Sequence, residues 1–486
     1  MGAFIGFPIS RWSLLLLCGD ILLFCLAIPG GFFLSHKPGD DFGFFLETYG
    51  PVLLGVLFTY VIILYIANLY DQYEDFRQRA NISRVILSTL VATVVVELIF
   101  SFGLHAIHRR VIEWHAVVFI WLVALWRYSF SAVALPQRLQ RQVLIIGAGQ
   151  AGQEICRAIQ HRRNSGLKVA GFIDDDPGKA NRLVDGLPVL GNSDQIQAAI
   201  QQHSISLVVV AITHEKSHTL INNLTRLTFN GVKLTDMSSL YELLAGKIPI
   251  DHISDMWLFV HNLNRSMIYY SHFKRITDLV LAAIMLMLVW PLFIIIGLLI
   301  KLDSDGPAFY RQERLGQDGQ PFQIIKFRTM YKDAERQGPQ FARRNDPRIT
   351  RVGRWLRRLR LDEMPQLLNI FKGQMSFIGP RPEREVFIQE YQELVPFLRV
   401  GRRGGDPDGV VVLCGYHERL PYYSYRLVVK PGITGWAQVM HYYAGSLEET
   451  REKLQYDLYY VKNMGFFLDL AILLKTIRIV LFGRGR

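Results

Sequence analysis

Apolar residues follow two regimes along this chain. The first 135 positions hold four long apolar stretches, about Leu14–Leu34, Val52–Tyr70, Ile82–Leu104 and Val111–Leu135, parted by short polar segments. Each is close to the ~20 residues a helix needs to cross hydrocarbon. The first begins where a cleaved leader would sit, but Asp20 and the lack of a small-residue cleavage pattern favour a retained span. Arg77, Arg79 and Arg84 flank the second connection, and Arg127, Arg138 and Arg141 follow or end the fourth stretch. The positive-inside tendency assigns these parts to the cytoplasm, against the opposing signal of His108, Arg109 and Arg110.

Beyond residue 138 the pattern changes. Val143–Ile146, Lys168–Ile173, Leu207–Ile212 and Val232–Thr235 are short buried-strand runs separated by helical stretches, the alternation of a parallel sheet. Gly147-Ala-Gly149-Gln-Ala-Gly152 directly follows the first run, and Asp174 lies 22 residues past Gly152. This matches a dinucleotide fingerprint, in which glycines admit a pyrophosphate to a helix N-terminus and the carboxylate binds a ribose. A tight strand-to-helix turn needs the same glycines without any ligand. A site for NAD or another nucleotide on Gly147, Gly149, Gly152 and Asp174, and a ligand-free, regulatory or dimer-forming scaffold, are both open, with the scaffold favoured.

A fifth apolar run, Leu279–Ile300, is interrupted by Trp290-Pro291. Its 22 residues span about 33 Å as a helix, enough to cross a bilayer. Charge disagrees with length, since Lys274 and Arg275 precede it and Lys301, Arg311 and Arg314 follow it. Pro291 removes a backbone donor and predicts a kink near the centre, so the helix is expected to re-emerge on the face it entered. An even number of earlier spans keeps everything after residue 138 on one side, and one further full span would separate the two halves.

Composition sharpens this picture. Half of the 486 residues are hydrophobic, while 54 Lys and Arg against 42 Asp and Glu leave a formal charge of +12. That is a basic membrane protein of more than one domain, suited to anionic lipid and phosphorylated substrates. No nucleic-acid motif accompanies the charge, so nucleic acid is not an expected partner. Cys18, Cys25, Cys156 and Cys414 are scattered and suggest neither a disulfide frame nor a zinc site. His105 and His108 lack further ligands and read as surface residues.

The chemistry concentrates between Arg351 and Pro382, where an Arg-rich helix leads into Asp362-Glu363. Carboxylates offer a nucleophile and a metal ligand, and guanidinium groups hold phosphate bidentately. Six segments in order carry a resemblance: Lys274-Arg-Ile-Thr-Asp278, Lys326-Phe-Arg-Thr-Met330, Leu361-Asp-Glu-Met-Pro-Gln-Leu367, Ser376-Phe-Ile-Gly-Pro-Arg-Pro382, Pro431-Gly-Ile-Thr-Gly-Trp-Ala-Gln-Val439 and Tyr456-Asp-Leu-Tyr-Tyr-Val-Lys462. Together they resemble the bacterial sugar transferases, the polyisoprenyl-phosphate hexose-1-phosphate or monotopic phosphoglycosyl transferases, and the whole chain is similar to that family's large members.

The resemblance implies an inner-membrane enzyme that moves hexose 1-phosphate from a UDP-sugar to undecaprenyl phosphate on the cytoplasmic face. It implies Asp362 as nucleophile, Glu363 as its partner in activating the acceptor or ordering Mg2+, and Lys326, Arg328 and Arg381 as phosphate-binding groups. Arg360 joins them because it adjoins the dyad, with Gln438 and Asp457 as weaker contacts. Arg351, Arg354, Arg357 and Arg358 read mainly as an amphipathic helix in the lipid interface, opposite Trp355, Leu356, Leu359 and Leu361. The expected architecture is a multidomain membrane α/β protein. It has a four-helix transmembrane bundle over residues 1–137, a Rossmann-like parallel α/β domain over 138–250 and a linker over 251–272. A mainly α-helical monotopic catalytic domain follows over 273–486, with its re-entrant helix at 279–300. A homodimer is expected, and a chain beginning near Ser271 is expected to keep the chemistry. A polar stretch, 334–349, reads as a lid, and Gly401–Gly409 as a loop of undetermined role.

Two rival functions remain. A membrane-anchored NAD-dependent nucleotide-sugar dehydratase would need its catalytic residues inside the nucleotide fold, whereas Tyr270-x-x-x-Lys274 lies beyond it. A non-catalytic polysaccharide-assembly scaffold would not need Asp362-Glu363.

Overall fold

A computed structural model describes residues 11–35, 41–67, 69–70, 76–77, 79–101, 109–134, 141–162, 166–180, 182–212, 220, 224, 232–253, 265–334, 346–383, 422–441 and 447–482. His105, His108, Cys414, most of the polar stretch 334–349 and Gly401–Gly409 lie outside the described residues. The chain divides into two compact units, 7–245 and 246–486.

In the first unit, helices α1 (Arg11–Ser35), α2 (Phe42–Ile66), α3 (Arg79–Ser101) and α4 (Arg109–Ala134) cover the four apolar stretches. They share one core, including Phe24, Tyr60, Phe119 and Val123. The usual sense of burial is inverted. Leu22, Phe33, Leu54, Phe58, Leu87 and Trp121 point outward, each more than 60% exposed, while Asp20, Thr89, His115 and Arg127 are buried. Arg127 Nη2 donates to Asp20 Oδ2 at 2.5 Å, and its guanidinium lies 5.0 Å from the ring centres of both Tyr70 and Phe76. Apolar outside and paired charge inside is the arrangement hydrocarbon demands. With the later helix over Tyr270–Asp303, five helices among the described residues are long and apolar enough to cross a membrane.

The second half of this unit is a six-stranded sheet, ordered β3-β4-β2-β1-β5-β6, from β1 (Arg141–Ile146), β2 (Leu167–Ile173), β3 (Leu183–Val184), β4 (Leu187–Gly191), β5 (Leu207–Val210) and β6 (Lys233–Asp236). All pairings are parallel except the β3–β4 hairpin, which carries too little apolar sequence to announce itself. Among the described residues, helices α5 (Gln150–His161), α6 (Ile196–Gln202) and α7 (Met237–Ala245) flank it, with separate cores on the two faces of the sheet.

The first unit ends at Ala245, five residues before the expected boundary at 250. Ile248 and Ile250, 0% and 2% exposed, pack into the core of the second unit with Tyr423, Trp436 and Leu454. Ile248 N–H donates to Gln455 O, Trp436 Nε1 donates to Gly246 O at 2.7 Å, and Lys247 pairs with Glu452 at 2.7 Å. Residues 246–250 therefore belong with the C-terminal unit, because their two isoleucines are covered there.

Helix α8 runs unbroken from Arg265 to Asp303 with Pro291 inside it, starting well before the apolar run. Ala282, Leu286, Val289, Phe293, Ile296 and Ile300 form its inner stripe, spaced alternately four and three residues apart. The stripe packs on Phe322, Ile324 and Phe327 of the antiparallel hairpin β7 (Phe309–Leu315) and β8 (Pro321–Phe327), and on Leu356. The outer face, from Leu279 through Met287, Leu288 and Trp290 to Leu302, is exposed and almost wholly apolar. Both ends are tied to the same unit. Arg275 donates to the carbonyls of Ile370 and Phe371 at 2.7 and 2.9 Å, and Asp303 accepts from Val352 N at 2.9 Å.

The remaining helices and strands among the described residues are α9 (Arg351–Arg358), α10 (Leu367–Phe371), β9 (Ser376–Ile378), β10 (Gly432–Thr434), α11 (Trp436–Met440), α12 (Leu447–Asn463) and α13 (Phe466–Phe482), with short 3-10 turns between them. The expected mainly helical unit thus also holds two small sheets. β9 and β10 pair in parallel, which explains the glycines of two motifs. A Cβ at Gly379 would sit 2.3 Å from Lys430 O, and one at Gly432 would sit 2.1 Å from Gly379 N. Tyr270 and Lys274 both bond Asp469 of α13, so Tyr270-x-x-x-Lys274 is a packing feature of this unit.

Candidate active site

Local backbone sets the dyad. Thr350 caps α9, its Oγ1 accepting from Gly353 N at 3.0 Å. The helix stops at Arg358, and Arg360 takes a left-handed conformation, φ 58° and ψ 17°, uncommon for a side chain other than glycine. That reversal turns the chain into a 3-10 segment, Leu361–Gln366, which carries Asp362 and Glu363. Leu361 and Met364 pack against the core of Phe293, Phe327 and Leu356, fixing the segment from below. Asn369, fully buried, accepts from Ile325 N at 3.0 Å and donates to Gln323 O at 2.7 Å. It locks β8, and so Lys326, to the helix that follows the dyad.

Lys326 Nζ donates to Glu363 Oε1 at 2.9 Å, and Arg381 Nη2 donates to the same oxygen at 2.6 Å. Three segments distant in sequence thereby converge: the hairpin, the 3-10 segment that follows α9, and the Gly-Pro-Arg-Pro turn. Burial alone would raise the Glu363 carboxyl, but the Arg381 and Lys326 charges outweigh it and hold Glu363 well below the usual carboxylate range. Asp362 moves the other way. Burial first and the adjacent Glu363 charge second raise its carboxyl, against Lys326 and Arg357. Two neighbouring carboxylates with opposed shifts are the usual sign of divided roles. The Arg381 guanidinium is raised further by Glu363.

Other candidates are placed differently. Arg328 is 6% exposed and donates to Asp305 O at 2.8 Å, Ser304 O at 2.6 Å and Ser304 Oγ at 3.0 Å. These bonds close the turn after α8, so its terminal nitrogens meet Ser304 and Asp305 and not Glu363. Gln438 donates to Ile433 O at 2.8 Å and stays with the β10 turn rather than the dyad. Asp457 is 1% exposed and pairs with Arg426 at 2.8 Å. Arg360 is exposed, lies outside the helix and contributes a favourable charge to Glu363. Arg357 donates to Thr329 Oγ1 at 2.8 Å. Trp355 and Leu359 are 63% and 55% exposed, on the arginine side of α9, whereas Leu356 alone is buried.

In the sheet domain, Asp174 does not stand open to a ribose. Its Oδ2 accepts from Ala148 N at 2.7 Å and from Lys179 Nζ at 3.0 Å, and its Oδ1 accepts from Asp176 N at 3.0 Å. Burial opposes the charged form, but these donors win and hold the carboxyl below its ordinary value. Gly152 has a reason independent of any ligand, since a Cβ there would sit 1.9 Å from Gly147 O. Gly147 has φ +104°, and Gly149 faces open space.

Sequence reading missed Asn369, Glu383, Tyr423, Arg426 and Lys453. Glu383 follows Pro382 directly, and Lys453 lies one helical turn before Asp457; those spacings were the available signals.

A carboxylate dyad and convergent cations lie beside a long, exposed apolar helix, the arrangement of a membrane-associated enzyme. Residues 269–483 match the bacterial sugar transferase family, and residues 66–235 match a CoA-binding domain. Undecaprenyl-phosphate glucose phosphotransferase of Komagataeibacter xylinus is 31% identical over 414 residues, covering 81% of this chain and 69% of that protein. UDP-N-acetylgalactosamine-undecaprenyl-phosphate N-acetylgalactosaminephosphotransferase of Aeromonas hydrophila is 39% identical over 262 residues, covering 54% of this chain, which spans 55% of that relative's length. UDP-glucose:undecaprenyl-phosphate glucose-1-phosphate transferase of Escherichia coli is 28% identical, with 87% and 88% covered. The chain belongs to the bacterial sugar transferase family.

Proposed function

We propose that this protein transfers hexose 1-phosphate from a UDP-sugar to undecaprenyl phosphate, releasing UMP and forming the polyprenyl-diphospho-sugar that primes exopolysaccharide, capsule or O-antigen synthesis. The observation that carries the proposal is the Asp362-Glu363 pair with Lys326 and Arg381 gathered on Glu363 Oε1. An Asp362 oxygen attacks the β-phosphorus of the donor, and the bond to the UMP oxygen breaks with its electron pair leaving on UMP. The acceptor's phosphate oxygen then attacks the phosphorus held on Asp362 and regenerates the carboxylate. Lys326 and Arg381 exchange part of their hold on Glu363 for the diphosphate oxygens, and Arg360 adds charge at the rim. Glu363, kept ionised, orders these cations and receives the acceptor.

Mg2+ fits this donor set, since it commonly takes one or two carboxylates and fills its shell with phosphate oxygens and water. Asp362 and Glu363 would hold it, and it would offset diphosphate charge. Residues 141–245 act as a ligand-free scaffold, the reading supported by Asp174 bonding its own glycine loop. A homodimer is one use of that scaffold; a monomeric mass in detergent by light scattering would remove it.

The membrane arrangement is part of the proposal: α1–α4 span the cytoplasmic membrane, and the catalytic unit lies on its cytoplasmic face. Helix α8 carries its inner stripe along a hairpin bearing Gln312, Glu313, Arg314 and Gln323, so a full crossing would draw those side chains into hydrocarbon. It therefore enters and leaves on one face. Cysteines introduced at His272 and Gln317 are expected to react only with reagents reaching the cytoplasm; periplasmic labelling at Gln317 would overturn this topology. The function itself is tested by giving the purified full chain undecaprenyl phosphate with UDP-glucose, UDP-galactose and UDP-N-acetylgalactosamine. UMP release and a lipid-linked sugar with at least one donor are expected, and none with any donor refutes it.

A further inference from the structure

We infer that Arg426 is a positioning residue for Arg381, set at the centre of a four-charge network, buried at Arg426 and Asp457 and half-buried at Glu383 and Lys453, beneath the phosphate-binding turn. The inference rests on the reading of Arg381 as a donor-phosphate group. Arg426 is 3% exposed and comes from the 3-10 turn Tyr423–Val428. Its Nη2 donates to the main-chain carbonyl of Arg381 at 2.9 Å and lies 2.8 Å from Asp457 Oδ2. Its Nη1 donates to Tyr423 OH at 2.6 Å and lies 3.2 Å from Glu383 Oε1, while Tyr423 OH donates to Glu383 Oε2 at 2.8 Å. Lys453 also pairs with Glu383.

The charges alternate as Lys453, Glu383, Arg426 and Asp457. Lys453 and Asp457 stand one turn apart on α12, so one helix face offers a cation and an anion to partners of opposite sign. Burial raises the Asp457 carboxyl while Arg426 and Lys453 oppose that rise, and Lys453 and Arg426 hold Glu383 well below its ordinary range against burial. Buried ion networks are seldom the most stabilising filling for a core. This one is spent on the backbone of a single turn. Arg426 holds Arg381 O, Arg314 Nη1 donates to Pro382 O at 3.3 Å, and Leu315 N donates to Glu383 O. Three successive carbonyls are thus fixed, and the flanking prolines limit φ, so the Arg381 side chain leaves the turn in one direction, toward Glu363. The network also gives the Tyr456–Lys462 motif a role: Asp457 acts on the site through Arg426, two contacts away.

The test is a double-mutant cycle on the full chain, reading kcat/KM for the UDP-sugar with melting temperature measured alongside. Arg426→Gln is expected to lower kcat/KM by about 10- to 100-fold. Arg381→Ala should lower it further, and the double variant should fall no lower than Arg381→Ala alone, because a group acting only through Arg381 has nothing left to position. Arg426→Lys keeps the counter-charge but cannot reach all of these partners at once, so it should restore the melting temperature without the rate. If Arg426→Gln fails to fold, Tyr423→Phe carries the same cycle with a smaller loss. Additive losses, full rate in Arg426→Lys, or an Arg426→Gln enzyme of unchanged kcat/KM overturn the inference while a damaged Arg381→Ala enzyme leaves the functional reading standing. A fully active Arg381→Ala enzyme overturns both.

Discussion

Asp362→Asn is expected to abolish turnover, with a loss on the order of 10⁴-fold or more, because it removes the attacking oxygen's charge while preserving shape. Wild-type enzyme given UDP-sugar and Mg2+ without acceptor should release up to one UMP per site and retain a phosphosugar on Asp362. Asp362→Asn should do neither, and initial rates should follow a ping-pong pattern. The acid limb of kcat/KM adds a second check. The reactive form is the carboxylate, and burial with the Glu363 charge raises its pKa, so activity should fall with decreasing pH above the ~3.9 of an ordinary aspartate. Glu363→Gln removes one of the charges that raises Asp362. It should therefore move that limb toward lower pH, impairing turnover while still permitting adduct formation. A strictly sequential mechanism, with no UMP before acceptor binds, would leave Asp362 as a metal ligand only.

Contrary to the expectation from motif positions, a chain beginning at Ser271 should be unfolded or inactive, whereas one beginning at Gly246 should fold and keep the transferase chemistry. The shorter chain loses Ile248 and Ile250, both buried, the Gly246 carbonyl that satisfies Trp436 Nε1, and Lys247, which pairs with Glu452. Deleting a buried isoleucine costs roughly 2–5 kcal/mol, so the pair approaches the ~5–15 kcal/mol that holds a domain together. It also loses Tyr270, whose hydroxyl donates to Asp469 at 2.7 Å. Melting curves in detergent and UMP release distinguish the two chains. Equal stability and rate in the Ser271 form would show that residues 246–270 are dispensable.

Lengthwise hydrophobicity, strand runs and the dyad were legible in the sequence because each is a local property. Four apolar stretches give four helices, and Val143–Ile146, Lys168–Ile173, Leu207–Ile212 and Val232–Thr235 all fall on or against observed strands. The β3–β4 and β7–β8 hairpins were not legible, since Leu183–Val184 is too short for a pattern and β7 reads Phe-Tyr-Arg-Gln-Glu-Arg-Leu without clean alternation. Arg328 illustrates the limit of motif reading. It stands two residues from Lys326, on a motif shared with it, yet faces the carbonyls of Ser304 and Asp305 while Lys326 faces Glu363. Asp174 illustrates the same limit for a spacing rule, because spacing gives reach but not the competing donors Ala148 N and Lys179.

The sequence by itself determined that this is a membrane protein with a parallel-sheet domain and a carboxylate pair among basic residues. Those follow from composition, period and residue chemistry, which are additive along a chain. Only the tertiary structure decided that Lys326 and Arg381 meet on one oxygen of Glu363, that Arg426 reaches across from residue 426 to the Arg381 carbonyl, and that Gly246–Ile250 closes the C-terminal core. Such pairings are choices among many chemically equal partners. They are settled by which long-range contacts can be buried together, a constraint that no stretch of sequence states alone.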